Sequence, residues 1–299
     1  MDNLTPNKFE QIYEKNYKLI LVIPIALLLF SIIYLIQFTS KNGDIIYKDV
    51  SLTGGTTITV FDAEINTEEL QSSLITKFPD LHIRVITDLS TGNQKAFFIE
   101  SKESADVLKQ ELELELGYSL TDSNSSIEFS GQSISEGFYK QLRIAVIVAF
   151  ILMAIVVFVI FRTPVPSGAV IVSAFADILM TVAIIDLLGF KLSTSGIIAL
   201  LMLIGYSVDT DILLTTRLLK SSEEAPVNKK LFEAFKTGMT MTLAAIVAVG
   251  SALIIVYNIS DVLSQMFIII LIGLGFDILN TWVTNASILK WYMEVKKIK

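Results

Sequence analysis

The sequence predicts an integral membrane protein with six transmembrane helices and one small α+β domain between the first two. Three observations support this: a high apolar content, six long apolar segments, and one polar stretch whose hydrophobic pattern alternates between strand and helix. Of the 299 residues, 53% are hydrophobic and 18% are charged, and the mean hydropathy is +0.63. Soluble domains have about 45–50% apolar and about 25% charged residues. The composition therefore excludes an ordinary soluble protein.

Six apolar segments are long enough to cross a membrane as helices. Each has about 20 residues or slightly more, which at about 1.5 Å per residue covers roughly 30 Å of hydrocarbon. The predicted spans are residues 19–38, 142–161, 165–188, 194–214, 239–259 and 262–284. The first is too long for the apolar part of a typical signal peptide, so we expect an uncleaved anchor. Residues 1–18 before it are predicted to form a cytoplasmic amphipathic segment.

The distribution of basic residues predicts the orientation. The short flanks on one side of the spans carry thirteen Lys and Arg residues, whereas the opposite short links carry only Lys191. Short loops rich in Lys and Arg stay in the cytoplasm. Both termini are therefore expected to be cytoplasmic and residues 39–140 extracytoplasmic, with residues 141–299 forming spans two to six in the cell membrane.

The extracytoplasmic stretch alternates between strand and helix periodicity. The predicted strands are residues 56–61, 82–87, 96–100 and 126–134, and the predicted helices are residues 67–78 and 104–116. Thr67 is the expected N-cap of the first helix and Pro79 its stop, while Gly117 closes the second. The order is βαββαβ, that of a ferredoxin-like domain, a fold that hosts many functions.

Several classes of function lack their characteristic residues. The chain has no cysteine and one histidine, His82, without companions at metal-ligand spacing, so no metal or cofactor is expected. There is no Ser/His/Asp set and no nucleotide-binding loop, which argues against an enzyme. Residues 39–140 carry 8 basic and 17 acidic residues, a net charge of −9 that argues against nucleic acid as a partner.

Two aspartates interrupt the fourth apolar span. Asp209 and Asp211 are followed by Arg217 at the span's predicted cytoplasmic end. A charge at membrane depth costs at least about 2.5–3.5 kcal/mol, so such residues indicate a proton relay or polar contacts between helices. At about 100° per residue the two aspartates point to opposite sides of their helix. Asp177 and Asp277 lie in neighbouring spans as further candidates, and a purely structural role for neutral aspartates stays open.

Three short motifs, in this order and topology, resemble the SecF family. Leu52-Thr53-Gly54-Gly55-Thr56 follows span one and looks like that family's Phe-x-Gly-Gly-Thr signature. Gly205-Tyr206-Ser207-Val208-Asp209-Thr210-Asp211, with Arg217 after it, looks like the fourth-span motif. The segment Thr237-Gly238-Met239-Thr240-Met241-Thr242 resembles the threonine-rich stretch that enters span five.

The resemblance implies an accessory subunit of the Sec protein-export channel within the resistance–nodulation–division group. It further implies a related six-span SecD partner, a SecYEG-type channel, a translocating polypeptide and membrane lipids as contacts, with the proton gradient as the proposed drive. The bacterial motif typically has Tyr-Ser-Ile-Asn-Asp-Thr, so Asp209 stands at its Asn position, Thr210 at its Asp position and Asp211 at its Thr position. This pattern resembles an archaeal-type variant.

Two alternatives from other classes stay open. One is a stand-alone proton-driven exporter of lipids or small solutes. The other is an intramembrane aspartyl protease, which pairs a Tyr-Asp with a Gly-x-Gly-Asp on another span. Here Gly273-Leu274-Gly275-Phe276-Asp277 has one residue too many, and neither Asp177 nor Asp186 follows a tyrosine. The residues therefore fit the protease pattern poorly.

Overall fold

A computed structural model describes residues 16–87, 93–219, 226–257 and 260–296. In chain order the elements are α1 (Val22–Asn42), α2 (Val50–Thr53), β1 (Gly55–Val60), α3 (Thr67–Leu74), β2 (His82–Thr87), β3 (Gln94–Ser101), α4 (Ala105–Leu116), β4 (Ser125–Ser130), α5 (Gln132–Phe161), α6 (Pro164–Leu187), α7 (Thr194–Leu219), α8 (Val227–Val256), α9 (Asp261–Leu279), a π-helical segment (Asn280–Asn285) and α10 (Ala286–Lys296). Most of the predicted amphipathic segment 1–18 lies outside the described residues.

Six helices in the described part of the chain are long and apolar enough to cross a membrane, as predicted. They are α1 with the helical turn from Asn16, α5, α6, α7, α8, and the continuous helix from α9 through α10. The helices extend beyond the predicted spans: α5 begins at Gln132, ten residues before the predicted span at residue 142, and α8 begins at Val227 rather than at residue 239. Where the membrane boundaries fall within these helices stays a prediction.

The residues between α1 and α5, here called the sheet domain, form a four-stranded antiparallel sheet in the order β2-β3-β1-β4. Helices α3 and α4 pack on one face of the sheet. Their leucines, including Leu74 and Leu112, contact buried strand residues such as Ile58 and Phe97. The hydrophobic effect drives this burial, since the core that these helices and strands share is formed by apolar side chains.

Two local predictions in the sheet domain are wrong. The N-cap of α3 is Asn66, not Thr67, because the extended Asn66 places its side chain to accept the backbone N–H groups of Glu68 and Glu69. The last strand ends at Ser130, and Ile134 lies in the first turn of α5 instead. The alternation that predicted a longer strand continues into this helical turn.

Gly54 and Gly55 let the chain pass between two other backbone segments. Their φ angles are +81° and +143°, values that L-residues with a side chain rarely adopt. A Cβ on Gly54 would lie closer than 3.0 Å to the backbone of Gln132, and one on Gly55 would be equally close to the carbonyl oxygen of Ser101. The Gly-Gly pair of the sequence motif is therefore required by the close meeting of β1, β3 and the start of α5.

A strand-like contact joins the sheet domain to the membrane helices. The Leu192 N–H donates to the carbonyl of Tyr47 at 2.6 Å, and the Asp49 N–H donates to the carbonyl of Leu192 at 3.0 Å. The Tyr47 N–H also donates to Asp186 Oδ1 at 3.3 Å, at the end of α6. Leu52 is buried against the same helices. The segment leading into the domain is thus fixed to the link between α6 and α7.

Helices α6 and α7 form the interior of the helical bundle. More than half of the apolar window of each is buried, whereas only 6% of that of α8 is. Gly273 of α9 meets the side chain of Leu203 on α7 so closely that a Cβ there would lie under 3.0 Å from it. Small residues allow such close helix approach in membranes. The two central spans therefore carry Asp177, Asp209 and Asp211, whereas Asp277 lies on α9.

Candidate functional site

Three carboxylates come together where α6, α7 and the last span meet. Asp177 lies on α6, Asp211 on α7 and Asp277 on α9, and all three have no exposed surface. Hydroxyl and amide side chains from the same helices surround them. We call these carboxylates and their hydrogen-bond partners the polar cluster.

Both carboxylate oxygens of Asp177 accept hydrogen bonds from neutral groups on other helices. The Ser207 hydroxyl donates to Oδ2 at 2.5 Å, and Asn280 Nδ2 donates to Oδ1 at 2.7 Å. Asn280 is itself contacted by Thr284, whose hydroxyl donates to Asn280 Oδ1 at 3.2 Å. Asp177 thus links α6 to both α7 and the π-helical segment.

Asp277 is bound through one oxygen only. The hydroxyls of Thr210 and Thr281 lie 2.9 Å and 3.1 Å from Oδ1, whereas buried Oδ2 has no partner among the described residues. The Thr210 hydroxyl also lies 2.8 Å from the carbonyl of Ser207. A hydroxyl has one proton, so it donates to one of these acceptors at a time. When the Thr210 hydroxyl donates to the Ser207 carbonyl, its oxygen can accept a hydrogen bond from a protonated Asp277.

Asp211 has a similar one-sided arrangement. Asn285 Nδ2 donates to Asp211 Oδ1 at 2.7 Å, while Asp211 Oδ2 is buried without a described partner. The pairing connects α7 to the end of the π-helical segment. Asp211 and Asp277 therefore each have one buried oxygen without a hydrogen-bond partner in the described part of the chain.

The π-helical segment supplies much of the cluster. In Asn280–Asn285 the wider turn buries Asn280, Thr281, Thr284 and Asn285 together. Single π turns within α-helices are frequent at functional sites. The sequence analysis did not single out Thr281, Thr284 or Asn285, although their polar run within an apolar span is a visible signal.

No Lys or Arg is among the described hydrogen-bond or ion-pair partners of the three carboxylates. The hydrogen-bond donors that contact them are hydroxyls and amides. Arg217, predicted as a candidate relay or helix-pairing residue, is exposed near the end of α7. Burial of an anion without a compensating charge is costly. The polar cluster is therefore suited to hold a proton or to exchange one.

Asp209 lies away from the polar cluster. It is exposed on α7, on the side opposite Asp211, as the helical spacing predicts. Met202 is 55% exposed on the same side, and the Cβ position of Gly205 has no atom within 4 Å. Tyr206, next to Gly205, is half-buried. The structure thus brings Asp177, Asp211 and Asp277 together and separates Asp209 from them.

The motif Leu52-Thr53-Gly54-Gly55-Thr56 lies away from the polar cluster, at the base of the sheet domain. Thr53 donates its hydroxyl to the carbonyl of Asp49 at 3.2 Å, and Leu52 is 1% exposed. Thr53, Gly54 and Gly55 line a groove of about 490 Å³ between the domain and the start of α5. The motif therefore has a structural role at this junction and no contact with the carboxylates.

The family model and the related proteins that match this chain are all described as protein-export membrane proteins. The family described as "Protein export membrane protein SecD/SecF, C-terminal" matches residues 115–295. The chain is 40% identical to the protein-export membrane protein SecF of Methanocaldococcus jannaschii, over 95% of this chain and 99% of that protein. It is 31% identical to the SecF of Pyrococcus furiosus, over 100% of this chain and 99% of the other.

Solved structures show the same fold. The crystal structure of SecDF, a translocon-associated membrane protein from Thermus thermophilus, superimposes with a TM-score of 0.71 at 19% identity. The match covers 98% of this chain but 40% of that chain. A SecDF structure in a super-membrane-facing form matches with a TM-score of 0.54, over 92% of this chain and 38% of the other.

Proposed function

The chain belongs to the SecD/SecF family of protein-export membrane proteins, and we propose that it is the SecF-type accessory subunit that assists Sec-dependent export. The similarity to archaeal SecF proteins over nearly the full length of both chains supports this role. Their names describe membrane subunits of export and no catalytic activity. Among the functions considered, an accessory subunit therefore fits better than a protease or a stand-alone exporter.

A SecD-type six-span subunit is the proposed partner. The chain spans 40% of the SecDF protein that it resembles, so that protein contains a further large part. The exposed side of α7 offers a place for a second helix, because Gly205 leaves space and Asp209 stands beside it among apolar residues. An aspartate facing lipid is costly, and a partner helix would cover it. The translocating polypeptide, the SecYEG-type channel and lipids are the further proposed contacts.

Proton exchange at the polar cluster is the proposed means of coupling. The single observation that carries it is the burial of three carboxylates whose described donors are all neutral. Such a site changes its internal hydrogen bonds when a proton enters or leaves. Thr210, at the position of the bacterial aspartate, contacts Asp277 of the last span. At position 210 of α7 this chain has no carboxylate. We infer that Asp277, on the last span, provides the carboxylate in its place.

The sheet domain is proposed to be ferredoxin-like and extracytoplasmic. Its element order and its strand order β2-β3-β1-β4 support the fold assignment, and the basic flanks support the orientation.

Single cysteines in place of the exposed residues Ser123 and Val295 would test on which side of the membrane the sheet domain lies. An impermeant thiol reagent outside intact cells should label Ser123→Cys and leave Val295→Cys unlabelled until the cells are opened. The reverse pattern would invert the topology.

Co-purification and an export assay test the function directly. The tagged protein, purified from its native membranes in mild detergent, should retain a SecD-type subunit. Membrane vesicles that contain both subunits should export a secretory precursor faster than vesicles without this chain. A purified chain that retains no such subunit, together with unchanged export in its absence, would contradict the proposal.

A further inference from the structure

The residues at the start of β4 match the acceptor sequence for N-linked sugars. Asn124-Ser125-Ser126 has the pattern Asn-x-Ser, with a residue other than proline in the middle. A saccharide attached to asparagine is bulky and hydrated, so it requires a position on the protein surface. The place of this triplet in the fold therefore decides whether it can serve as an acceptor.

Asn124 lies at the end of the sheet domain that is remote from the membrane helices. Its carbonyl accepts the N–H of Phe61 at 2.8 Å, just beyond the last residue of β1. From there β4 runs for six residues, or about 20 Å, from Ser125 to Ser130 before Gly131 leads into α5. A saccharide on Asn124 is thus attached at the far end of the domain, where the helical bundle does not obstruct it.

The turn that carries Asn124 is open to solvent and tolerates the modification. Thr121, Asp122 and Ser123 are exposed, and Asn124 is half-buried. Asn124 Oδ1 accepts the Thr121 N–H at 2.7 Å, while Nδ2 donates one hydrogen to the Ser119 carbonyl at 3.1 Å. An N-linked saccharide replaces one of the two hydrogens on Nδ2. The side-chain oxygen and one N–H remain, so both contacts of the folded turn can persist.

The two serines of the triplet have different surroundings. Ser125 is buried, and its hydroxyl donates to the Thr121 carbonyl at 2.9 Å, which fixes the turn. Ser126 pairs with Thr59 on the sheet face away from α3 and α4, and it is exposed. The acceptor pattern requires the hydroxyl at the third position. That hydroxyl is the accessible one.

Another match in the described residues shows why the position matters. Asn285-Ala286-Ser287 fits the same pattern, but Asn285 is fully buried and its amide nitrogen donates to Asp211 Oδ1 at 2.7 Å. The helical bundle leaves no room for a saccharide there. Asn3 and Asn258 also begin such triplets and lie outside the described residues. Among the described asparagines with this pattern, Asn124 is the one at the surface.

We propose that Asn124 is an N-glycosylation site, which receives a saccharide from a lipid-phosphate-linked donor through a membrane-bound glycosyl transferase. Asn124 Nδ2 forms a bond to the anomeric carbon of the sugar, and the bond from that carbon to the donor's phosphate oxygen breaks. The lipid phosphate leaves and the amide gives up one proton, so nothing is oxidised or reduced. This inference rests on the proposed extracytoplasmic position of the sheet domain.

Mass spectrometry of the full-length protein from its native membranes tests the site. A proteolytic peptide that contains Asn124 should carry added sugar masses, and fragmentation should locate them on that residue. Asn124→Gln and Ser126→Ala should each abolish the modification, whereas Ser126→Thr should retain it because the hydroxyl is kept. Asn93→Gln is the matched control and should leave the modification unchanged, since Asn93 is exposed in the same domain but has a lysine two residues later.

The site is overturned by an unmodified Asn124 in the wild-type protein, by sugar on a neighbouring serine instead, or by full modification of Ser126→Ala. The wild-type measurement does not depend on whether a variant folds. Thiol labelling of Ser123→Cys separates this inference from the proposed orientation. Labelling from outside, together with an unmodified wild-type Asn124, refutes the glycosylation site and leaves the orientation intact. Labelling only in opened cells refutes the orientation and the site together.

Discussion

The sheet domain and the helical bundle place their polar residues in opposite positions. The domain core consists of aliphatic and aromatic side chains such as Leu112 and Phe97, while its described charged side chains, apart from Asp49, are exposed or half-buried. The bundle buries Asp177, Asp211 and Asp277 at its centre, and apolar residues cover much of its outer surface. Water drives apolar residues inward in the domain. In lipid this force is absent between helices, so polar contacts and close packing hold them together.

Burial of a side chain therefore has a different explanation in the two regions. A buried leucine in the sheet domain is explained by stability alone. A buried carboxylate in the bundle is not, because neutral side chains would hold helices together at lower cost. The cluster therefore calls for a function, and the following predictions test whether the two interiors differ in this way.

The largest expected effect is loss of export stimulation in Asp277→Asn. Asparagine keeps the size and hydrogen-bonding capacity of the side chain and removes only the titratable group. If protons move through the polar cluster, stimulation in the vesicle assay should fall to near the level without the protein. Asp209→Asn is the matched control on the exposed face and should retain stimulation if Asp209 acts only in partner contact.

Protein amount and co-purification of the SecD-type subunit should stay normal in Asp277→Asn. Full stimulation in the Asn variants of Asp177, Asp211 and Asp277 alike would make the polar cluster structural. The domain core and the polar cluster would then differ in composition, but both would serve only to stabilise the fold. Loss in Asp209→Asn alone would move the coupling residue to the exposed face of α7.

The next effect concerns the stability of the sheet domain. We expect residues 39–140 to fold in isolation, because the helices and strands enclose a core of their own. Leu112→Ala should lower the free energy of unfolding by about 2–5 kcal/mol through lost burial and a cavity. Leu114→Ala, on the exposed side of the same helix, should change it by about 0.5 kcal/mol or less. Urea denaturation measures both, and equal losses would contradict the described core.

The Gly-Gly motif should be the more sensitive of two glycine sites in the same domain. Gly55→Ala adds a side chain that meets the Ser101 carbonyl at a positive φ, so a loss above about 2 kcal/mol is expected. Gly117 also has a positive φ, +75°, but no atom lies within 4 Å of its Cβ position. Gly117→Ala should therefore cost only about 1 kcal/mol. Comparable denaturation midpoints for the two variants would show that the close backbone approach is absent.

The smallest effect is a pH dependence at the junction of domain and bundle. Burial by itself raises the pKa of Asp44, but bonds from the Tyr139 hydroxyl and the Ile45 N–H, with the ion pair to Lys48, outweigh it and lower the pKa. The stabilisation of the folded protein by Asp44 is therefore complete above the pKa that this residue has in the unfolded chain, about 3.9. It is lost as the pH falls through the pKa of Asp44 in the folded protein. Asp44→Asn should lower stability at pH 7 by about 1 kcal/mol or less.

Scanning calorimetry of the full protein in detergent, at neutral and acidic pH, measures this effect. The difference between wild type and Asp44→Asn should shrink as the pH falls below 4. Asp122→Asn, which removes a carboxylate at an exposed position of the sheet domain, is the matched control. If the difference in stability between wild type and Asp44→Asn does not change with pH, the effect of the substitution comes from packing and not from the charge.

The six apolar helices, the order of the domain's elements and the opposite directions of Asp209 and Asp211 could be predicted from the sequence alone. These features depend on residue periodicity, which is a local property. It did not locate the cap of α3 correctly, since Asn66 and Thr67 are both good caps and only the backbone angles select between them. It also indicated Asp177 and Asp277 without showing what they contact.

Only the tertiary structure decided which aspartates meet and which remain outside. The contact of Thr210 with Asp277 joins residues 67 positions apart, and that of Asp177 with Asn280 spans 103. The π-helical turn that brings Asn280 and Asn285 into the cluster is likewise absent from the residue pattern. Helix packing fixes these partners, because inside a membrane a buried polar group must find its donor on another helix wherever that helix lies in the chain.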